Sequence, residues 1–549
     1  MARILRSLLC LLLVTVMLVG CTPTSPDVVA RPSLEERLAE YAKLGTSPDD
    51  NYRTWYEIFV YAFCDSNGDG IGDLQGVISK LDYLKELGFT GIWLMPIHPS
   101  TSYHKYNVDD YYAIDPDYGT MADFEQLIAE CDERGIKVIM DLVVNHSGNN
   151  NPWFLTAVEY LQDIGFGLAS EEECEEYGFY NFVDSNDAPK VGYTKVPGTR
   201  YHYESQFSDT MPDFNWANET LRARVKEVME FWLNKGVGGF RVDAAKEFYT
   251  GNVSKNVEVM KWLQETATSI KSDAYMVAEV WETDERLIAS YYESGFTSIF
   301  NYPFGNTTGR LNKTVNGRTN AAMVNQWAGL LERSHEYYSE ANPNYIDAPF
   351  LTNHDVLRIS DNVSGDPLRI KMSGALNLFM SGSAFVYYGE EIGMAGTGNK
   401  DSDPSKRAPM YWNAAKNNGT TTPCDGCVLP SGGYPLGSVE EQMADENSVY
   451  NYYKEAIAIR NALPVIARGA ITAEEALNVG CISAMRKTWN EEKCIILMNI
   501  DTKEASVDLS AYKDWKLVAG LSADGNNIYM DGTNLKMPAY GIAVLVPNA

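Results

Sequence analysis

The chain has 549 residues, of which 45% are apolar, 22% charged and 12% aromatic. This excludes a disordered or fibrous protein and provides for a large core domain with one or two smaller ones. Its 74 acidic against 45 basic side chains give a formal charge of −29, which excludes nucleic acid or an anionic membrane surface as a partner but not a neutral ligand.

The amino terminus, MARILRSLLCLLLVTVMLVGC, places two arginines before an apolar run from Leu8 to Val19. Residues 1–20 read as a secretory signal, too short for a comfortable membrane span. The sequence LVGC resembles the bacterial lipobox, which makes Cys21 the lipid-bearing first residue of a mature, extracytoplasmic chain. Membrane contact is then expected only through that anchor, with 21–50 as the anchored linker and amino-terminal segment, of which TPTSPDVVARPS has the Pro/Ser/Thr character of the linker. Seven cysteines remain besides Cys10 and Cys21, an odd number that excludes a complete disulfide framework. Cys424 and Cys427 in CDGC suit a local disulfide better than a zinc half-site. Cys481 and Cys494 are expected to face each other on neighbouring strands, and Cys131 to be a core residue.

The first predicted strand, WYEIFVYAF, leads into DSNGDGIGD, Asp65 to Asp73. Its alternating oxygen ligands read as a calcium loop: Asp65, Asn67, Asp69, the Ile71 carbonyl and Asp73. A calcium sensor is excluded, because the twelfth position is Gly76 instead of a glutamate and a strand precedes the loop, leaving no helix pair to open. GIWLMPI, IKVIMDLVV, VGGFRVD, AYMVAEV, TSIFN, APFLT and AFVYYG follow, making eight strand candidates separated by segments with apolar residues at three-to-four spacing. Continuous apolar strands between amphipathic helices imply a parallel sheet covered by helices. Eight such units predict a closed (β/α)8 TIM barrel over 51–146 and 210–463, with its site at the carboxyl ends of the strands. Almost a hundred residues separate the third and fourth strands, so 147–209 reads as an irregular inserted domain. The alternating runs of 464–549 form a separate carboxyl-terminal antiparallel β domain.

The strand ends carry the chemistry. GFRVDAAKE ends its strand on Asp243, with Arg241 two residues earlier on the same face. VAEVW places Glu279, and FLTNHD places His354 and Asp355; DLVVNH adds His146. A lone aspartate after a strand is more often a helix cap, but three carboxylates converging on one mouth suit glycoside hydrolysis, which needs one acid and one nucleophilic carboxylate. Arg241 is expected to hold Asp243 ionised, and crowding with burial to keep Glu279 protonated.

In sequence and order, DLVVNH, GFRVDAAKE, VAEVW and FLTNHD resemble the alpha-amylase family of glycoside hydrolases, from about Asn51 to the end. The resemblance implies a (β/α)8 barrel, an inserted domain after the third strand and a carboxyl-terminal β domain. It implies Asp243 as nucleophile, Glu279 as acid/base and Asp355 as the third carboxylate, acting with retention through a covalent glycosyl-enzyme. Tyr106, His146 and His354 match residues at the sugar preceding the cleaved bond, Arg241 matches the arginine beside the nucleophile and is expected on the substrate-binding side, Lys246 matches a residue of the next subsite, and Arg358 is a further candidate contact. Relatives of the oligosaccharide-cleaving type carry a calcium loop like that of Asp65–Asp73. Two departures stand out: Asn107 where the family commonly has aspartate, and Lys246-Glu247 where amylases often have Lys-His. The expected substrate is an alpha-1,4-glucan or maltooligosaccharide. Alpha-1,6-glucosidase or neopullulanase-like specificity and transglycosylation remain as alternatives. A non-catalytic glucan-binding protein is disfavoured because all three carboxylates are present.

Overall fold

The computed structural model describes residues 31–399, 402–417, 419–430 and 433–548; the signal segment and the proposed lipidation site Cys21 lie outside them. Seven strands form one parallel sheet: β1 (Thr54–Ile58), β2 (Gly91–Leu94), β3 (Lys137–Leu142), β7 (Gly239–Val242), β8 (Tyr275–Ala278), β9 (Ser298–Ile299) and β10 (Ala384–Tyr387), in the order β10-β1-β2-β3-β7-β8-β9. The expected strand APFLT contributes only two parallel bridges, Phe300 to Ala348 and Phe350 to Phe385. These join β9 to β10 and close the barrel. Pro349 stands between them without an amide to donate, which disfavours a regular ladder. WYEIFVYAF is also shorter than expected: the strand stops at Ile58, and Val60–Phe63 forms a helical turn.

The barrel interior is filled by Trp55, Trp93, Ile139, Tyr275, Val277, Phe300 and their neighbours. Trp55 stacks between Tyr275, with centroids 5.1 Å apart, and Phe385, at 5.8 Å. Gly91 of β2 permits this, since a Cβ there would lie 2.3 Å from the Trp55 ring. Strand alternation places Trp55 and Glu57 on one face, as it does Ile139 and Asp141, so the packed layer lies directly below a charged one.

The insert is more regular than its sequence reading. Pro152–Ile164 is a helix capped by the Asn151 side chain with Pro152 in its first turn, and it buries Phe154, Ala157 and Leu161. Asparagine followed by proline is a helix start that the loop-like GNNNP context masks. After it, β4 (Phe182–Asp184), β5 (Tyr193–Lys195) and β6 (Tyr201–Glu204) form an antiparallel sheet ordered β4-β6-β5.

At the carboxyl end, β11 (Ala470–Ala473), β12 (Ile482–Trp489), β13 (Glu492–Asn499), β15 (Trp515–Ser522) and β18 (Gly541–Pro547) form a five-stranded antiparallel sheet. The strands β14 (Ala505–Asp508), β16 (Tyr529–Asp531) and β17 (Asn534–Met537) form a three-stranded one. Ile482, Ile495, Leu497, Val507, Leu535 and Met537 make a core between the two sheets. Met485, Ile496 and Val544, on the other face of the larger sheet, belong to the barrel's main core.

All seven cysteines among the described residues are free. The expected Cys481–Cys494 pairing fails because the register puts Lys487 opposite Cys494 and Asn499 opposite Ile482, leaving Cys481 beyond the far end of the ladder. In CDGC, the Cys427 thiol instead meets the Thr397 hydroxyl at 3.2 Å. No helix among the described residues is long and apolar enough to cross a membrane.

Candidate active site

Arg241, fully buried, organises the floor of the barrel mouth. Its Nη1 lies 2.6 Å from Asp141 Oδ1 and 2.5 Å from Asp243 Oδ1, and its Nη2 lies 2.9 Å from Glu279 Oε2. Trp93 of the packed layer lies beneath it, with the guanidinium carbon 5.2 Å from the ring centroid. Glu279 Oε2 also accepts from the Ala244 amide at 3.0 Å, and Oε1 accepts from the Tyr302 hydroxyl at 3.2 Å. Ala244 adopts φ +44°, a left-handed conformation that is uncommon for a residue with a Cβ and typical of functional sites.

A second chain of charges holds Asp355. His354 contacts Glu57 through Nδ1 at 2.6 Å and Asp355 Oδ2 through Nε2 at 3.0 Å, while Arg407 Nη2 lies 2.7 Å from Asp355 Oδ1. The Tyr106 hydroxyl lies 2.8 Å from His354 Nε2, and its ring stacks on the imidazole at 5.5 Å.

The carboxyls Glu57, Asp141, Asp243, Glu279 and Asp355 thus surround only Arg241, His354 and Arg407, so the cluster must retain protons to limit buried charge. Burial lowers the His354 pKa, but Asp355 and Glu57 outweigh it and raise it to about 10, making the imidazole a cation at neutral pH. Burial pushes Asp355 up, yet His354 and Arg407 hold it well below the usual carboxylate range. Asp141 is raised to about 7, mainly by burial. Glu279 is raised by burial against the pull of Arg241, and Asp243 and Asp355 push it the same way. The expectation that Arg241 holds Asp243 ionised needs correction. Burial raises Asp243 as well and outweighs the lowering by Arg241, whose guanidinium is shared among three carboxyls. The roles separate by the balance of neighbours: Asp243 has Arg241 and His354 against Asp355, whereas Glu279 has Arg241 against both Asp243 and Asp355.

Above this floor opens a cleft of about 650 Å³, lined by Asp243, Glu279, Asp355, Tyr106, His146 and Arg407 among others. Two exposed aromatics, Phe207 from the insert side and Trp281 after β8, stand at its rim. His146 Nε2 is buried without a hydrogen-bond partner, and burial lowers this imidazole to about 4, so it is neutral. The alpha-amylase catalytic-domain family matches residues 57–469.

The chain belongs to the alpha-amylase family.

It is a glycoside hydrolase of that family. Alpha-amylase 3 of Dictyoglomus thermophilum is 36% identical over 459 residues, covering 82% of this chain and 85% of its own. The oligo-1,6-glucosidase of Parageobacillus thermoglucosidasius is 28% identical over 526 residues, 82% of this chain and 90% of its own. Among solved structures, Eubacterium rectale Amy13B superposes with a TM-score of 0.88 at 40% identity, covering 94% of this chain and 100% of its own.

Not every expected sugar contact faces the cleft of this family member. Arg241 and His354 lie beneath the floor at 0% exposure and hold carboxylates. Lys246 donates to the Trp281 carbonyl at 2.7 Å and does not line the cleft. Arg358 is not a contact at all: it is buried, donating to the Lys406 and Tyr388 carbonyls and packing against Tyr387 and Tyr388. The Asn107 departure has a local reason. Its Nδ2 donates to the Thr210 carbonyl at 3.1 Å and hydroxyl at 2.7 Å, and an aspartate would set a carboxylate against that carbonyl.

Sequence reading missed Glu57, Asp141 and Arg407. The first two carried a signal, a single carboxylate at inward parity in an apolar strand, which must find a buried partner. Arg407, in a polar loop, carried none. Arg407→Met is expected to remove one of the two cations in contact with Asp355 that hold it ionised. Asp355 then takes up its proton at higher pH, so the acidic limb of the kcat/KM profile moves upward and activity at neutral pH falls about tenfold. An acidic limb that stays in place would count against this role.

The Asp65–Asp73 loop supplies only oxygen donors. Asp65 Oδ1 accepts from the Asn67 amide at 3.1 Å and the Gly68 amide at 2.6 Å, and Oδ2 from the Gly70 amide at 2.8 Å. Asp69 Oδ1 accepts from the Ile71 amide at 2.8 Å, and Asp73 caps the helix Leu74–Ser79 through the Gly76 amide at 2.6 Å. Carboxylates keep lone pairs beyond such bonds, and an all-oxygen set suits a hard cation such as calcium. No cluster of three or more His, Cys, Asp or Glu able to hold a metal occurs among the described residues. A calcium ion here would therefore rely on Asn67 and the Ile71 carbonyl besides the acids.

Proposed function

We propose that the cleft hydrolyses alpha-1,4-glucosidic bonds in starch-derived glucans or maltooligosaccharides with retention of configuration. The observation that carries this reading is that Asp243 and Glu279 bind Nη1 and Nη2 of one guanidinium. That favours the short separation of about 5 Å used for covalent catalysis over the wider gap that admits a water between the acids. Asp243 attacks the anomeric carbon while Glu279 gives its proton to the departing glycosidic oxygen. The ionised Glu279 then takes a proton from water, which attacks the same carbon and frees Asp243. Asp355, kept anionic by His354 and Arg407, accepts hydrogen bonds from sugar hydroxyls, and His146 Nε2 is available to another.

Product analysis on maltoheptaose, with the anomer followed by NMR during the first turnovers, tests the reading. Alpha-anomers shorter than the substrate are expected; beta-anomers would overturn retention, and products longer than the substrate would indicate transglycosylation. Pullulan and an alpha-1,6-linked trisaccharide in the same assay address the alpha-1,6 alternative, which the likeness to oligo-1,6-glucosidase favours.

Calcium in this reading is held by Asp65, Asn67, Asp69, the Ile71 carbonyl and Asp73, and neutralises crowded acids in the loop after β1. Chelation is expected to lower the thermal midpoint, with calcium restoring it; an unchanged midpoint removes the metal from the account. Anchoring through a lipidated Cys21 outside the cytoplasm predicts that Cys21→Ser moves the protein from the membrane fraction to the soluble one. Retention of the variant in the membrane fraction would rule the anchor out.

A further inference from the structure

The strip 212–214 joins the insert to the barrel beside the cleft. On one side the Ser147 amide donates to the Pro212 carbonyl at 3.1 Å and the Phe214 amide to the Asn145 carbonyl at 2.9 Å; on the other the Asp213 amide donates to the Glu204 carbonyl of β6 at 2.9 Å. The Asp213 side chain, 4% exposed, repeats both links. Its Oδ1 accepts from Asn145 Nδ2 at 3.0 Å, and that nitrogen also lies 3.5 Å from His146 Nδ1. Its Oδ2 accepts from the Gln206 amide at 2.8 Å. The next residue is Phe207, exposed at the cleft rim, whose ring centroid lies 5.5 Å from that of His146. One carboxylate therefore fixes both members of an aromatic pair drawn from two distant parts of the chain.

Both partners of that carboxylate are neutral N–H groups. The titratable groups around it bring no compensating cation: Glu204 from β6 and Glu247 after β7 disfavour its anion, the Tyr193 phenol of β5 is raised and so neutral, and His146 is lowered and neutral. Burial, with the two acids, raises Asp213 to about 7 against the pull of its two donors. Glu247 is the departure noted after Lys246, where amylases often have histidine, so this chain adds an acid at that point. An ionised carboxylate accepts at both oxygens, whereas a protonated one turns one oxygen into a donor. Neither N–H can accept from it, so protonation breaks one of the two links.

We propose that Asp213 is a positioning residue of the cleft: its carboxylate braces the Phe207 loop of the insert against the His146 turn of the barrel, and acid releases the brace by protonating it. At alkaline pH the rim is held in place for the chain that enters the cleft. In acid Phe207 is freed and substrate binding weakens. The effect on sugar binding rests on the glycosidase reading of the cleft; the brace itself does not.

Hydrogen exchange without substrate tests the brace in the full chain. After correction for intrinsic exchange, protection in 205–208 is expected to be about tenfold greater at about pH 8.5 than at about pH 5.5. In Asp213→Asn, whose amide keeps one acceptor oxygen, it should be low at both. Asp141 titrates in the same range but is untouched by that variant, so the comparison isolates Asp213. Kinetics on maltoheptaose at about pH 8.5 should give Asp213→Asn a KM about tenfold higher with kcat within about threefold. Phe207→Ala should raise KM by itself, and adding Asp213→Asn should then raise it by less than about twofold more. Equal protection at the two pH values overturns the proposal, as does a pH dependence that survives in Asp213→Asn. If that variant does not fold, Glu247→Gln should move the exchange transition to lower pH, and a transition that stays in place overturns the proposal. An unchanged KM in a variant that has lost the protection overturns the positioning role. The expected exchange transition in a protein inactive on every glucan would sustain the brace and remove the glycosidase reading.

Discussion

Glu279→Gln is expected to lower kcat/KM on maltooligosaccharides by about a thousandfold, within the usual contribution of a positioned acid or base. The size of the effect should depend on the leaving group. A glucosyl oxygen leaves poorly without a proton, whereas an aryl glycoside with an acidic phenol leaves unaided in the first step, so the variant should retain much more of its glycosylation rate on the aryl substrate. Asp243→Asn, by contrast, should lose about ten-thousandfold on both substrates, because no leaving group replaces a missing nucleophile. Parallel kinetics on the two substrates separates the roles. Equal losses for Glu279→Gln on both would remove it as the acid, and an active Asp243→Asn would remove the covalent step. The glutamine keeps the Tyr302 and Ala244 contacts within reach, so the comparison reads chemistry more than folding.

The largest expected effect on stability comes from Glu455→Ala, at about 3–5 kcal/mol. Glu455, on the helix Val449–Ala462, is nearly inaccessible and receives Arg37 Nε at 2.7 Å, Arg37 Nη2 at 2.9 Å, Arg31 Nη2 at 2.8 Å and the Tyr41 hydroxyl at 3.1 Å. The helix Leu34–Tyr41 docks on the barrel through these bonds. Removing the carboxylate leaves two arginines side by side, with the buried Arg37 paired only with the half-exposed Glu446, 3.2 Å from its Nη1. Lys454–Glu86 provides the contrast: at 2.6 Å it is equally short, but Glu86 is 49% exposed, so Glu86→Ala should stay within about 0.5 kcal/mol of the parent. Denaturant midpoints compare the two, and a Glu455→Ala midpoint no lower than that of Glu86→Ala would refute the argument.

The two arginines named from neighbouring motifs show how far local reading reaches. Arg241 shares a strand face with Asp243, and a period of two places both at the barrel mouth wherever the rest of the chain goes. Arg358 follows the Asp355 motif closely, yet the chain turns it away onto Tyr387 and Tyr388, and Arg407 takes the place beside Asp355. The sequence separation between Asp355 and Arg407 is 52 residues, and no local pattern records such a contact. The cysteines make the same point in the β domain, where the register about Asn490, itself at φ +52°, decides that Cys494 faces Lys487.

The amino-acid sequence by itself determined the barrel, the appended β domain and the carboxyls at the strand ends, because apolar period and strand parity are properties of neighbouring residues. Only the tertiary structure decided which cations those carboxyls share, and with them the distribution of protons: Arg241 among three acids, His354 between Glu57 and Asp355, and Arg407 against Asp355. Such contacts depend on how loops distant in sequence close over the barrel mouth, and burial there makes each shared proton a matter of distance and desolvation instead of residue type.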